Sequence, residues 1–182
     1  TSNMIRTLFI NKNAIEKGLR RPIKFKKNKL SRIGVVGAGM MGAGIAHSAA
    51  LNNLEVTLID KDLGSANIGI SKIAQILAAG VKRGRLNEER KEKILSRITP
   101  SEDCSDLNQV DLVIEAVFEE PEVKNTVLRN INNYVDDATI IASNTSTLPI
   151  TDLAKSSSNQ ENFLGIHFFS PVHKMNLVEI IK

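Results

Sequence analysis

Tryptophan is missing from the 182 residues, and tyrosine occurs once. Aromatic residues make up 4% of the chain, too few for the stacking platform on which single-stranded nucleic acid is held. The single cysteine, Cys104, excludes an internal disulfide and a multi-thiolate zinc site, and it suits a reducing compartment. No apolar run approaches the roughly 20 residues that a membrane-spanning helix needs. His47, His167 and His173 are the whole supply of imidazole, and no metal site is predicted. Acidic residues are scarce at the start. Residues 1–32 hold ten Lys/Arg against Glu16 alone, a charge of +9, whereas residues 33–182 hold fourteen Lys/Arg and nineteen acids, a charge of −5. The overall +4 therefore belongs to the leading segment and does not signal a nucleic-acid-binding domain.

Against these absences stands a chain that is 42% hydrophobic and long enough for one domain with a real core plus an appendage. Its organising stretch is Ile33-Gly34-Val35-Val36 running into Gly37-x-Gly39-x-x-Gly42, followed by the small residues Gly44, Ala46, Ser48, Ala49 and Ala50. This reads as a buried strand, a tight turn and a helix packed closely on the strand. Gly37 permits the turn, Gly39 lets a pyrophosphate approach the backbone, and Gly42 lets helix and strand touch. The helix is predicted to start near Met40 and Met41, its free N–H groups and positive dipole end facing the phosphates. A second apolar run, Glu55 to Ile59, ends in Asp60, 23 positions after Gly37. There a Rossmann unit places the acid that binds the adenosine ribose. A carboxylate at that point repels a 2′-phosphate, so NAD is favoured over NADP.

Further along, Ile70, Ile73, Ala74, Leu77 and Val81 predict an amphipathic helix over 64–83, ending in Lys82-Arg83-Gly84-Arg85. Lys82 and Arg83 are either a clamp for substrate phosphates or cations complementing a helix end capped by Gly84. A charged helix over 88–97 follows, and Ile98-Thr99-Pro100 closes it or starts a short strand. Strands are predicted at 111–117, 139–142, 165–169 and 177–181. A helix beginning at Pro121 is lined by Val123, Val127, Leu128, Ile131 and Tyr134, and a shorter helix covers 151–156. The pattern implies a mostly parallel α/β sheet with helices on both faces and extra terminal strands. Ser143-Asn144-Thr145-Ser146 opens at the carboxyl end of a strand, the edge at which open α/β sheets bind ligands. In the leading segment, residues 13–19 suggest a short helix stopped near Gly18, followed by a basic linker; a transit peptide is the competing reading.

Hydride chemistry on an alcohol needs a base for the hydroxyl proton. His47 lies within the first helix and is a poor candidate. His167 ends an apolar strand at the expected edge, and Glu179 lies twelve residues on, in the next strand. If those strands fold back on each other, the carboxylate can hold the imidazole's tautomer; otherwise His167 is a satisfied strand residue and Glu179 a surface acid.

Four separated stretches carry a family resemblance: Gly37-Ala38-Gly39-Met40-Met41-Gly42, Val113-Ile114-Glu115-Ala116-Val117-Phe118-Glu119, Ala142-Ser143-Asn144-Thr145-Ser146 and Gly165-Ile166-His167-Phe168-Phe169-Ser170-Pro171. Together they resemble the NAD-binding domain of L-3-hydroxyacyl-CoA dehydrogenase, over about residues 30–182. Residues 6–9 and 17–22 resemble the linker that precedes this domain in multifunctional fatty-acid oxidation proteins. The resemblance implies oxidation of an L-3-hydroxyacyl-CoA to the 3-ketoacyl-CoA. It makes His167 the base, Glu179 its electrostatic partner, and Ser146 the group between substrate hydroxyl, base and cofactor. It places Glu119 and Lys124 on the nicotinamide side of NAD and Asp60 on the adenosine ribose. Ser170 stands where single-function relatives usually carry Asn, and Lys82 and Arg83 match the family's CoA contact poorly. It also implies a preceding enoyl-CoA hydratase-like domain joined through residues 1–31, and a helical domain after the NAD-binding domain of 32–182, neither included in this chain. The complete protein would be oligomeric and cytoplasmic in a bacterium, with the mitochondrion as the other compartment. Two alternatives stay open at this level: another NAD-dependent hydroxy-acid dehydrogenase, or a non-catalytic dinucleotide-binding or assembly module.

Overall fold

A computed structural model of the chain describes residues 2–17, 19 and 29–182. The leading helix comprises α1 (Ser2–Ile5), a π-helical stretch Arg6–Asn11 and α2 (Lys12–Glu16). Gly18 and the stretch 20–28, read from sequence as helix stop and linker, lie outside the described residues.

From Arg32 the chain alternates strand and helix. β1 (Arg32–Val36) leads to α3 (Met40–Leu51), then β2 (Glu55–Ile59) and α4 (Leu63–Lys82). After α5 (Glu88–Leu95) come β3 (Ile98–Ser101), β4 (Leu112–Glu115) and α6 (Pro121–Ile131). β5 (Ile140–Ser143), α7 (Ile150–Ala154), β6 (Phe163–Phe168) and β7 (Val178–Ile181) complete it. The seven strands lie in the order β3-β2-β1-β4-β5-β6-β7. Six are parallel, and β7 returns antiparallel beside β6. This is the mostly parallel Rossmann-like sheet expected from the sequence, extended by terminal strands.

Parallel strands are covered on both faces, which explains their nearly continuous apolar runs. Ile33 and Val35 of β1 point into one core with Ile45 and Ala46 of α3 and Ile73 and Leu77 of α4. Val36 and Val113 point into the other, with Leu128 and Ile131 of α6 and Leu153 of α7. The direction of connection changes between β1 and β4, so their carboxyl ends frame a crevice.

Local chemistry sets the helix ends. Asp62 caps α4 by accepting from Ser65 N at 2.7 Å, and Asn87 caps α5 by accepting from Arg90 N at 2.9 Å. Gly84 adopts φ +67° after α4, with its N–H on Val81 O at 2.8 Å. Boundaries differ from the sequence expectation in one informative place. α6 stops at Ile131, and Tyr134 lies beyond it, exposed, where Asn132 and Asn133 turn the chain.

The tightest packing lies between β1 and α3. A Cβ on Gly42 would sit 1.7 Å from the carbonyl oxygen of Gly37, a backbone atom that has no other place to go. Gly42→Ala is therefore expected to cost about 3 kcal/mol or more of folding stability, measured by urea denaturation.

Candidate active site

The glycine turn and Asp60 form one unit. Gly37 adopts φ +104°, open to glycine, and its N–H donates to Ile59 O at 2.7 Å. The next N–H, of Ala38, donates to Asp60 Oδ2 at 2.7 Å, and Lys61 N donates to Oδ1 at 2.8 Å. Each carboxylate oxygen keeps an acceptor position for a ligand hydroxyl. Gly39 N-caps α3 with extended backbone, and no side chain caps the helix. A Cβ built on Gly39 meets nothing within 4 Å, so the space beside it is open. Met40 is exposed at the rim, whereas Met41 packs partly against the core and has only its backbone to offer. An uncapped helix start, open space at Gly39 and a strand-end acid suit a dinucleotide: N–H groups for the pyrophosphate and Asp60 for the ribose.

Three side chains line up further along the same edge. The β6–β7 register pairs His167 with Glu179, and Glu179 Oε2 lies 2.8 Å from His167 Nδ1. His167 Nε2 lies 3.2 Å from Ser146 Oγ. With the carboxylate as acceptor, Nδ1 carries the proton and Nε2 presents its lone pair towards Ser146. Asn144 anchors the arrangement from behind, its Oδ1 accepting from Phe168 N at 3.0 Å.

Glu119 ties down the turn that carries Ser146. Its Oε1 accepts from Thr145 Oγ1 at 2.5 Å, Ser146 N at 2.7 Å and Thr147 N at 3.1 Å. Burial pushes its pKa up, but the Thr145 hydroxyl, the Ser146 and Thr147 N–H groups and the Lys124 ammonium outweigh it and hold the carboxyl at about 2.

The resemblance puts Lys124 on the nicotinamide side of NAD, and the structure withdraws its side chain from solvent. It is fully buried in α6, with Nζ 2.8 Å from Glu115 Oε1 and 3.4 Å from Glu119 Oε2. Its Nζ also lies 3.5 Å from Val117 O and 3.5 Å from Asn144 O. Glu115, also fully buried, accepts further from Val117 N at 2.8 Å and Ser143 Oγ at 2.6 Å. Sequence reasoning passed over Glu115, although a carboxylate inside the apolar run Leu112-Val113-Ile114 is a signal, because buried acids are paired. Lys124 had its own signal, since it shares helical spacing with Leu128 and Ile131 on the buried face of α6.

The remaining candidates divide. Ser170 Oγ lies 4.0 Å from Met40 Sδ, beside the glycine turn. Lys82 and Arg83 are not brought to the site. They end a 20-residue helix whose start follows Asp60, about 30 Å along α4 from the carboxyl edge. His47 is buried in α3, its pKa lowered by burial and by His173, whose ring stands edge-on at 6.2 Å.

The sheet order, glycine turn and strand-end acid define a dinucleotide-binding domain of the Rossmann class, with a His–Glu pair on its ligand edge. The family is narrower. Residues 32–182 match the family described as 3-hydroxyacyl-CoA dehydrogenase, NAD binding domain, and the chain belongs to it. The chain is 42% identical over 175 residues to the fatty acid oxidation complex subunit alpha of Idiomarina loihiensis, covering 96% of this chain and 24% of that protein. The solved (S)-3-hydroxybutyryl-CoA dehydrogenase PaaH1 of Ralstonia eutropha is similar, with a TM-score of 0.82 and 39% identity, covering 84% of this chain and 54% of that one. The 3-hydroxybutyryl-CoA dehydrogenase of Escherichia coli K12 gives 0.81 and 37%, covering 84% and 32%. Among the described residues, no helix is long and apolar enough to cross a membrane.

A carboxylate whose folded pKa of about 2 lies below its ordinary 4.5 stabilises the fold above pH 4.5 and loses that contribution as pH falls towards 2. The urea midpoints of the wild type and Glu119→Gln are therefore expected to differ at neutral pH and to converge between pH 4.5 and 2.

Proposed function

We propose that this chain is the cofactor-binding half of an NAD-dependent dehydrogenase. Its substrate is an L-3-hydroxyacyl-CoA thioester, oxidised to the 3-ketoacyl-CoA in fatty-acid oxidation. One observation carries the reading: the Ser146–His167–Glu179 line stands on the same sheet edge as the glycine turn and Asp60.

His167 Nε2 acts as the base for the substrate hydroxyl, because Nδ1 is committed to Glu179. Ser146 Oγ, 3.2 Å from Nε2, orients that hydroxyl by hydrogen bonding. As Nε2 takes the proton, the Glu179 carboxylate balances the imidazolium without moving. NAD, when bound, supplies the hydride acceptor. Gly37, Gly39, Met40, Met41 and Gly42 form its pyrophosphate seat, and Asp60 accepts from the adenosine ribose. Glu119, backed by Lys124, and Ser170 with Met40 serve the nicotinamide side. Lys82 and Arg83 have no part in this mechanism.

The matching Idiomarina relative is about four times as long as this chain, and the Ralstonia enzyme about one and a half times as long. We therefore assign the acyl-CoA cleft, chain-length choice and oligomer contacts to a helical domain beyond 182, and residues 1–31 to the linker from a hydratase-like domain. The setting we propose is bacterial, as for the relative, and cytoplasmic.

NADH titration by fluorescence tests the cofactor site. Gly39→Ala is expected to fold as the wild type, since its new methyl meets only open space, yet to weaken NADH binding at least about tenfold. Asp60→Ala is expected to weaken binding as well. Acetoacetyl-CoA reduction tests the chemistry in the longer protein containing this segment, where His167→Gln is expected to lower kcat about a thousandfold. If NADH binds and that protein is inert, the chain is a dinucleotide-binding module instead. If folded protein binds no NADH, the assignment fails.

A further inference from the structure

Glu115 makes more contacts than a simple partner for Lys124 needs, and they reach in two directions. Towards β1, Oε1 accepts from Val117 N and so fixes the Ala116–Val117 peptide. That peptide lies directly against the glycine turn: a Cβ on Gly37 would sit 2.6 Å from Ala116 O and 3.0 Å from Val117 N. Towards β6, Oε2 accepts from Ser143 Oγ at 2.6 Å, and the Glu115 carbonyl accepts from Asn144 N at 2.7 Å. Lys124 extends the second direction, because its ammonium also faces Glu119, whose carboxylate holds the N–H of Ser146 and of Thr147.

A buried ion pair is a poor source of net stability, since desolvation consumes most of the attraction, and an apolar pair of similar volume packs as well or better. Fixed direction is what an apolar side chain lacks. We propose that Glu115 is a positioning residue shared by both halves of the site: it sets the backbone under the glycine turn and, through Ser143, Lys124 and Glu119, the placement of Ser146 against His167. Glu115 touches neither cofactor nor substrate. The inference rests on the dehydrogenase reading above only in what the positioned groups are for.

The test compares wild type, Glu115→Gln, Ser146→Ala and the double variant Glu115→Gln/Lys124→Met. Two readouts are taken on folded protein: NADH affinity by fluorescence, and the nitrogen-15 resonance of His167 Nε2 by NMR. Nε2 reports the Ser146 hydrogen bond without any ligand. Glu115→Gln is expected to move the Nε2 resonance in the same direction as Ser146→Ala and to weaken NADH binding about tenfold. The double variant removes both buried charges and is expected to be more stable than Glu115→Gln while keeping both defects. A carboxylate that only supports folding would lower the urea midpoint and leave Nε2 and NADH affinity at their wild-type values, which overturns the proposal. So does failure of both variants to fold. If the wild type binds no NADH, the dehydrogenase reading falls, and the Nε2 shift alone then decides the role of Glu115.

Discussion

Glu115 and Lys124 are both withdrawn from solvent, and the 2.8 Å contact between them is the interaction on which the carboxyl edge of the sheet rests. Each charge alone would be costly in the core, so neither tolerates loss of the other. The pair also cannot slide. Glu115 is held at the end of a central strand by parallel pairing to β1 and β5, and Lys124 by the first turn of α6. Strand end and helix start are thereby kept in one relation, and the loop between them runs beneath the glycine turn.

Three carboxylates at this edge do different work because their surroundings differ. Glu115 is sealed and pairs with a cation. Glu119 is partly exposed, with its Oε1 taken up by one turn and its Oε2 facing the Lys124 ammonium, which together keep it ionised far into acid. Glu179 stands on the edge strand β7, half open to solvent, with a single imidazole as its partner. In the proposed mechanism, the base that takes up and releases a proton needs such an accessible counter-charge. The turn that presents Ser146 needs a carboxylate that does not change.

The reversal of direction at β7 is what makes the His–Glu pair. Parallel neighbours in this sheet are separated by a crossover, whereas β6 and β7 are joined by a short return, so residues twelve apart become cross-strand partners. The loop of that return places buried Val172 against α3 at Gly44, where an added Cβ would lie 2.9 Å from Val172 Cβ. The small residues of α3 thus serve two neighbours, β1 through Gly42 and the β6–β7 return through Gly44.

Much of this was legible in the chain. Apolar runs of strand length separated by amphipathic stretches determine a parallel α/β sheet, because such runs are stable only when covered on both faces. The glycine spacing and Asp60 mark the proposed dinucleotide seat: Gly37 and Gly42 answer local steric demands, and Gly39 leaves the space beside the helix start open. The pairing of His167 with Glu179 was readable only conditionally, for periodicity does not say which way a strand returns. The burial of Lys124 and its pairing with Glu115 were not read from the sequence for a related reason: a charge shows its partner only once the tertiary structure supplies it. Lys82 and Arg83 show the converse, cations whose type suits a phosphate but whose helix carries them away from the edge. Local stereochemistry is written along the chain, and the sequence by itself determined the elements and the turn. Which buried groups meet, and which exposed ones never do, depends on contacts between residues distant in sequence, and only the tertiary structure decided that.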